Sequence, residues 1–286
     1  MPSFLVSSQC LAASTIDEAL RVVPLSFDGI EMGAGLRTCG KSKLNEWLGN
    51  GRRAIVHNYF PPPVEPFVLN LASSDETILA RSKALCRAAL VFCSEHSIPL
   101  YGVHAGFCVH ARPQDLGKGL RGLERIPKSV AQKIFVQSLK EIGTYAKSLG
   151  VGLAVENNVV TSENLIQGKN ELLLGAHPEE LAGLIAQTGD KEVSILLDLG
   201  HLKVTSRTLG FDIEASLRPI QGMVRVVHAS DNDGQIDAHA PFSGPPWFSA
   251  MARRWLQSVE YVVLETSCLR TEILGEQATL LRHIWE

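Results

Sequence analysis

Short apolar runs alternate along this chain with longer stretches in which apolar residues recur at helical spacing. Short runs that are almost wholly apolar are typical of strands buried on both faces of a parallel sheet. The pattern predicts eight strands, which lie at Phe4–Ser8, Gly29–Met32, Ala54–His57, Tyr101–His104, Gly152–Glu156, within Val193–Leu202, at Val224–His228 and at Tyr261–Glu265.

Capping signals mark several of the helices between these strands. Thr15 and Glu18 form a capping-box pattern, and Ser73 and Glu76 form another. Proline is tolerated in the first turn of a helix, and glycine is common just after the last one. The predicted helices after the first one lie around Leu44–Leu48, from Ile78 to Cys93, from Val130 to Leu149 before Gly150, from Pro178 to just before Gly189, and from Leu269 to Ile284.

The alternation of strands and helices predicts the fold. Repeated βα units imply a parallel sheet, and eight of them imply closure into a barrel. The chain has 286 residues, and one such barrel commonly needs about 250. No linker or change in composition divides the sequence, and no GxGxxG motif follows an early strand. We therefore predict an α/β protein, with residues 1–286 forming a single (β/α)8 TIM-barrel domain.

Composition and charge narrow the class of protein. Hydrophobic residues make up 45% of the chain and the net charge is -3, which disfavours nucleic-acid binding unless a local basic patch supports it. No stretch approaches the roughly 18 apolar residues of a membrane span. The N-terminus lacks the features of a signal peptide. The six cysteines are scattered without a CxxC motif, so we expect a reduced, cytoplasmic protein without disulfides.

Metal-type ligands stand at the ends of six of the apolar runs. Gly200 should also allow a turn that brings His201 back to the side of the strand end before it. In a parallel barrel all strand ends meet at one face, so residues far apart in sequence converge there. A single such histidine is more often a hydrogen-bonded core residue than a ligand, but repetition at six strand ends favours a site. The six residues are His57, His104, Glu156, Asp198, His228 and Glu265.

Four of these residues make a plausible ligand set for one divalent cation. Glu156, Asp198, His228 and Glu265 supply three carboxylates and one imidazole. Such ligands suit Mn²⁺, Mg²⁺, Co²⁺ or Zn²⁺ without selecting one of them. Burying this many ionisable groups together without a cation would cost much free energy. We therefore predict a divalent-metal site at the carboxyl ends of the strands.

The sequence also resembles the xylose isomerase-like, AP endonuclease family 2 TIM barrels over nearly its whole length. The matching stretches are FVLNLASSDE before the third helix, VHAG after the fourth strand, VENN after the fifth, LLDLGH at the sixth, VHASDNDG with DAH at the seventh and VLET at the eighth. This resemblance implies a metal-dependent enzyme, but it does not specify the substrate.

One branch of that superfamily contains sugar isomerases and ketose epimerases, and it supplies our leading hypothesis. Residues like the four predicted ligands hold one metal there, and the metal polarises a carbonyl of the sugar. By this resemblance Glu156 and Glu265 would move a proton off and onto carbon, and His201 would bind substrate oxygens. Where ketose epimerases carry a substrate-binding arginine after the seventh strand, this chain offers Asp237 and His239.

A second branch, that of endonuclease IV, holds three zinc ions with nine residues. This chain has a residue of the required type at every position: the six strand-end ligands, His201, Asp237 and His239. That set favours a phosphodiesterase acting on DNA, with nucleic acid as partner only under this alternative. The loop GAGLRTCGKSKLNEWL after the second strand does not resemble the DNA-penetrating loop of those enzymes, and sugar-active relatives often keep the additional histidines.

Two further alternatives stay open. A metal-dependent dehydratase or lyase of a polyhydroxylated compound would use the same four ligands. A barrel that has lost catalysis and serves as a binding scaffold is less favoured, because degenerate sites usually lose ligands.

Four other residues are candidates for contact with a sugar or sugar-phosphate substrate. Glu31 ends the second strand and would form a substrate contact or an ion pair. Asn157 would contact substrate or stabilise a turn. Arg121 belongs to a basic loop at 105–128, which is either a lid for an anionic substrate or simply solvated. Trp247 would wall the pocket or anchor its own loop. A homo-oligomer is possible on these data.

Overall fold

The strands close into the predicted barrel. A computed structural model describes residues 1–37, 41–267 and 269–286. Its strands are all parallel and pair in sequential order, with the first also paired to the last. They are β1 Ser3–Ser7, β2 Gly29–Met32, β3 Arg53–His57, β4 Leu100–His104, β5 Gly152–Glu156, β6 Val193–Asp198, β7 Val224–Ala229 and β8 Tyr261–Leu264. The α/β fold and the (β/α)8 TIM barrel are therefore confirmed.

Helices follow the strands around the outside of the barrel. The α-helices of the described residues are α1 Ile16–Val22, α2 Lys41–Gly49, α3 Glu76–Glu95, α4 Lys128–Ser148, α5 Pro178–Ala186, α6 Leu199–Leu209, α7 Ile213–Leu217, α8 Ser249–Trp255 and α9 Thr271–Trp285. The capping box of Thr15 and Glu18 is present as predicted. The extent of the domain, residues 1–286, stays a prediction.

One local prediction was wrong. The helix expected to be capped by Ser73 is capped by Asp75, whose carboxylate accepts the backbone N–H groups of Thr77 and Ile78. His201 does return to the strand end, as predicted, through the first turn of α6, which begins at Leu199 directly after β6 and contains Gly200. Asp198 caps that helix, and a Cβ at position 200 would lie 2.8 Å from Ser230 Oγ. Glycine is therefore needed at this position for space.

Apolar side chains fill the barrel and separate it from its helices. One buried cluster lies inside the barrel, with members from most strands, and a larger one lies between the strands and the helices. The interior cluster consists of Leu5, Ile55, Leu100, Ala154, Leu196, Val226, Tyr261 and Val263. Polar strand-end residues such as Glu156 and His228 are buried beyond this apolar filling, at the face where TIM barrels place their sites.

Four of the six cysteines lie among the described residues. Cys10, Cys86, Cys93 and Cys108 are buried free thiols, whereas Cys39 and Cys268 lie outside the described residues. Among the helices described, none is long and apolar enough to cross a membrane.

Candidate active site

The strand ends bring Glu156, Asp198, His228 and Glu265 together, as the sequence pattern predicts. One potential ligand atom from each of these residues lies within 4.8 Å of those from the other three. All are buried, with exposed fractions of 0 to 3%. His228 Nδ1 lies 2.9 Å from Glu265 Oε2 and 3.4 Å from Glu156 Oε1. These residues are called the four-ligand set below.

Unpartnered atoms in this set fit a divalent cation. Glu156 Oε1, Asp198 Oδ2 and His228 Nδ1 are buried and make no hydrogen bond of good geometry, although Nδ1 lies close to the Glu265 carboxylate. Burial raises the pKa of the Asp198 carboxyl to about 7, and the nearby carboxylates of Glu156 and Glu265 also act to raise it. A cation bound between these atoms would supply the missing partners and offset the repulsion. The residues present therefore fit the metal that the sequence predicts.

Asp198 is aimed by the start of α6 and by Asn157. Its Oδ1 accepts the backbone N–H of His201 at 2.6 Å, which leaves Oδ2 for the four-ligand set. The Asn157 side chain accepts the Asp198 N–H at 2.7 Å and donates to the Asp198 carbonyl at 3.1 Å. Asn157 is fully buried. It therefore orients a candidate ligand, and it is not among the residues that line the cavity described below.

Glu31 orients His228 in a similar way. Glu31 Oε2 lies 2.8 Å from His228 Nε2, and both side chains are buried. Burial lowers the pKa of the His228 imidazole, but the carboxylates of Glu31 and Glu265 outweigh it and raise the pKa well above its usual value. On binding a metal, His228 would give up the proton on Nδ1, while the proton on Nε2 that is hydrogen-bonded to Glu31 would keep the ring in this orientation. Of the two roles considered for Glu31, the geometry supports the ion pair.

A second cluster adjoins the four-ligand set through Glu156. Glu156 Oε2 lies 2.8 Å from His57 Nε2 and 3.0 Å from His104 Nδ1. Burial lowers the pKa of the His104 imidazole to about 4, so this histidine is neutral. A neutral imidazole has one nitrogen with a free lone pair, which can bind a metal. These three residues could thus hold a further ion.

A third cluster consists of His201, Asp237 and His239. Asp237 Oδ2 lies 3.1 Å from His201 Nε2 and 2.9 Å from His239 Nε2. His201 Nδ1 also lies 2.8 Å from the Asn157 carbonyl oxygen. Both nitrogens of His201 thus face oxygen atoms, although a neutral imidazole can donate only one hydrogen bond. Either an extra proton or a cation must therefore lie between His201 and Asp237.

A cavity of about 630 Å³ opens above the second and third clusters. His104, His201, Asp237 and His239 form part of its lining, whereas the more deeply buried four-ligand set does not. The remaining lining comes mainly from the loops after β3, β4, β5 and β7. The candidate site therefore consists of a buried cluster of ligands under an open cavity.

None of the four predicted substrate-binding residues lines this cavity. Glu31 and Asn157 are not among its lining residues. Arg121 does not line it either, and its guanidinium donates to the Ser162 carbonyl at 2.9 Å. Trp247 packs edge-on against Phe248 and so anchors its own loop. Of the five cations in the basic loop, Lys118 is among the lining residues.

Sequence reasoning missed several residues at the site. Gln9 Nε2 donates to Glu265 Oε1 at 3.2 Å, and Asn58 and Thr161 line the cavity. Asn58 directly follows β3, and Gln9 lies in the 3-10 turn Ser8–Cys10 after β1, so their position after an apolar run was the available signal. Thr161 lies in an irregular loop, where no periodic pattern indicates which side chains face inward.

A family comparison settles the superfamily. The family model described as xylose isomerase-like TIM barrel matches residues 22–282. The chain belongs to this family. No match was found among curated proteins.

Solved structures share this fold over their full length. A D-tagatose 3-epimerase-like protein is 19% identical to this chain with a TM-score of 0.71, and the alignment covers 99% of this chain and 98% of that protein. The 3-keto-D-glucoside 4-epimerase from E. coli is 15% identical with a TM-score of 0.67, with 99% of both chains covered. A protein from Thermus thermophilus, soaked with zinc chloride, is 17% identical with a TM-score of 0.61, with 98% of both chains covered. Because the sequence identities are this low, the similarity to these structures shows a shared fold alone.

Proposed function

We propose that this protein is a divalent-metal-dependent isomerase or epimerase acting on a sugar or sugar-like polyol. The observation that carries the proposal is the pair Glu156 and Glu265, which come from strands separated by β6 and β7. Both carboxylates approach the same His228 nitrogen, at 3.4 and 2.9 Å. Two carboxylates beside one cation site are the groups needed to move a proton at a carbon next to a carbonyl.

Each residue has a definite task in this proposal. When bound, Mn²⁺, Zn²⁺, Co²⁺ or Mg²⁺ would be held by the four-ligand set and would polarise a carbonyl and an adjacent hydroxyl of the sugar. Glu156 and Glu265 remove the proton from carbon and return it. His201 lines the cavity with its Nδ1 held by the Asn157 carbonyl, and its Nε2 binds a substrate oxygen in place of its contact with Asp237.

The charged residues of the basic loop do not single out a phosphorylated sugar. Lys118 lines the cavity together with Glu163, whose opposite charge offsets it. Arg112 is paired with Asp115, and Lys128 with Glu180. The basic loop therefore offers less support for an anionic substrate than its sequence indicated.

Deuterium exchange tests this proposal directly. The metal-loaded protein should incorporate deuterium from D₂O into a ketose or aldose beside the carbonyl, and removal of metal by a chelator should stop the exchange. Metal analysis should find one ion per chain at saturation, bound through the four-ligand set. Absence of exchange across a panel of free and glycosidic sugars, with metal bound, would overturn the proposal.

A multinuclear phosphodiesterase is the second candidate, and the second and third clusters favour it. Together with the four-ligand set they place nine ligands in three groups, each with its ligand atoms within 4.8 Å of one another. Clustered metals could activate water and hold a phosphate. This function predicts two or three ions per chain and cleavage of DNA that contains an abasic site. Replacing His239 with alanine should then remove one ion, whereas under the isomerase proposal the metal content should not change.

A further inference from the structure

Four atoms converge at the centre of the four-ligand set, one from each residue. His228 Nδ1 lies 2.9 Å from Glu265 Oε2 and 3.4 Å from Glu156 Oε1. The same nitrogen lies 3.9 Å from Asp198 Oδ2. Each residue therefore offers one atom to the centre and keeps a second polar atom for contacts with the surrounding protein.

The second polar atom of every residue in the set has a partner outside the set. The partners are His57 Nε2 at 2.8 Å for Glu156 Oε2, the His201 N–H at 2.6 Å for Asp198 Oδ1, Glu31 at 2.8 Å for His228 Nε2 and Gln9 Nε2 at 3.2 Å for Glu265 Oε1. Outer partners of this kind orient the groups that bind a metal. The pattern indicates three carboxylates that each bind a cation through a single oxygen.

The partner of Glu265 differs from the other three because Gln9 is exposed and they are buried. Gln9 belongs to the 3-10 turn Ser8–Cys10 after β1. Cys10 fastens this turn to the chain after β8, since its sulfur accepts the Thr266 N–H at 3.2 Å. The turn thus holds Gln9 beside Glu265. Replacing the Gln9 side chain would remove the hydrogen bond without disturbing the core.

We propose that Gln9 is a positioning residue that makes Glu265 a one-oxygen ligand and thereby favours a small divalent cation over Ca²⁺. Ca²⁺ takes about six to eight oxygen ligands and binds carboxylates through one or both oxygens. Four residues that offer one atom each, one of them an imidazole nitrogen, give it too few. Without Gln9, Glu265 could turn both oxygens to the cation. This inference rests on the metal dependence in the proposed function and adds the choice of cation.

Competition with a chromophoric chelator tests the inference on the full chain, with Mn²⁺ and Ca²⁺ as probes. Gln9→Met keeps the length of the side chain but has no N–H to donate. Its affinity for Mn²⁺ should fall by about tenfold, the lower end of the usual effect of such partners. Its affinity for Ca²⁺ should stay the same or rise. An equal loss for both cations, or no change for either, would contradict the inference.

Gln137→Met is the matched control. Gln137 is also exposed, and its Nε2 donates to Glu141 Oε1 at the same distance of 3.2 Å. This pair lies in α4, on the outside of the barrel. The control should bind both cations as the wild type does. A loss of Mn²⁺ affinity as large as that of Gln9→Met would show that the hydrogen bond to Glu265 is not the cause, and the inference would fail.

Infrared difference spectra between the Ca²⁺-loaded and the metal-free protein report how the carboxylates bind. Binding through one oxygen gives a wide separation between the antisymmetric and symmetric carboxylate stretching bands, whereas binding through both oxygens gives a narrow one. Gln9→Met should show added intensity at the narrow separation, which a merely structural role of Gln9 would not produce. Identical difference spectra for the wild type and Gln9→Met would refute the assignment of Gln9.

Neither measurement involves a sugar, so this inference and the proposed function can fail separately. A wild-type protein that prefers Mn²⁺ in the way that Gln9→Met does not, but never exchanges deuterium into sugars, would support the role of Gln9 and contradict the isomerase proposal. Exchange by the wild type, together with unchanged cation preference in Gln9→Met, would do the reverse.

Discussion

The four-ligand set and the cavity above it are built from different parts of the fold. Every residue of the four-ligand set lies within one residue of a strand end, so the hydrogen-bonded barrel fixes its position: Glu156 and Asp198 end β5 and β6, His228 precedes the last residue of β7, and Glu265 directly follows β8. Most of the cavity wall comes from loops, with Leu116, Lys118 and Ile236 at irregular positions. A rigid frame thus carries the proposed chemistry, while variable segments determine what reaches it. Substitutions in the two regions should therefore have different consequences.

The largest expected effect is that of Glu156→Gln. Glutamine keeps the size of the side chain but can neither carry a proton from carbon nor supply a charged ligand. The rate of deuterium exchange should fall by about 10²- to 10⁴-fold, the usual contribution of a general acid or base. Glu276→Gln, on the exposed surface of α9, serves as the control. A Glu156→Gln protein with wild-type exchange would show that proton transfer uses another group.

Glu31→Gln should have the next largest effect, and it acts through His228. The variant weakens the hydrogen bond from Nε2 and so the orientation of the ring toward the four-ligand set. Loss of such a supporting partner typically costs about 10- to 100-fold in metal affinity. Competition with a chromophoric chelator measures this affinity without any assay of activity. Unchanged affinity would mean that the buried pair is not needed to orient the imidazole.

Gly200→Ala tests the close packing behind the ligands. The new methyl group would lie 2.8 Å from Ser230 Oγ and 3.2 Å from Asp198 Oδ1, so one of them must move. We expect a decrease of about 1–3 kcal/mol in the free energy of unfolding, as for other overpacked sites. Urea denaturation measures it, and the additional change Ser230→Ala should recover part of the loss. No recovery would locate the strain at another neighbour.

Arg121→Ala should have the smallest effect. The guanidinium bonds to the Ser162 carbonyl and does not line the cavity. We expect the KM of the deuterium-exchange reaction to stay within about twofold of the wild-type value, which corresponds to the usual ±0.5 kcal/mol of surface changes. A clear rise in KM would restore the earlier expectation that the basic loop contacts an anionic substrate.

The difference between the strand-end ligands and the loops of the cavity wall also explains how much could be predicted from the sequence. The barrel and the convergence of Glu156, Asp198, His228 and Glu265 follow from apolar runs that end in polar residues. Short helices such as α7 and α8 were missed because they lie within stretches that are rich in polar residues, glycine and proline. The four residues predicted to contact substrate are not among those that line the cavity, and their contact with substrate stays a prediction. The side-chain amide of Asn157 is hydrogen-bonded to the backbone of Asp198. Sequence position alone does not show which groups a side chain will reach.

The pairing of β1 with β8 has a consequence for biogenesis. Leu5 in β1 lies beside Val263 in β8, so the first strand lacks one neighbour until the last has been synthesised. A chain emerges from the ribosome N-terminus first, and Glu265 follows directly after β8. Ring closure and completion of the four-ligand set are thus late, nearly simultaneous events, and a nascent chain arrested before residue 261 would present an open sheet edge and lack Glu265.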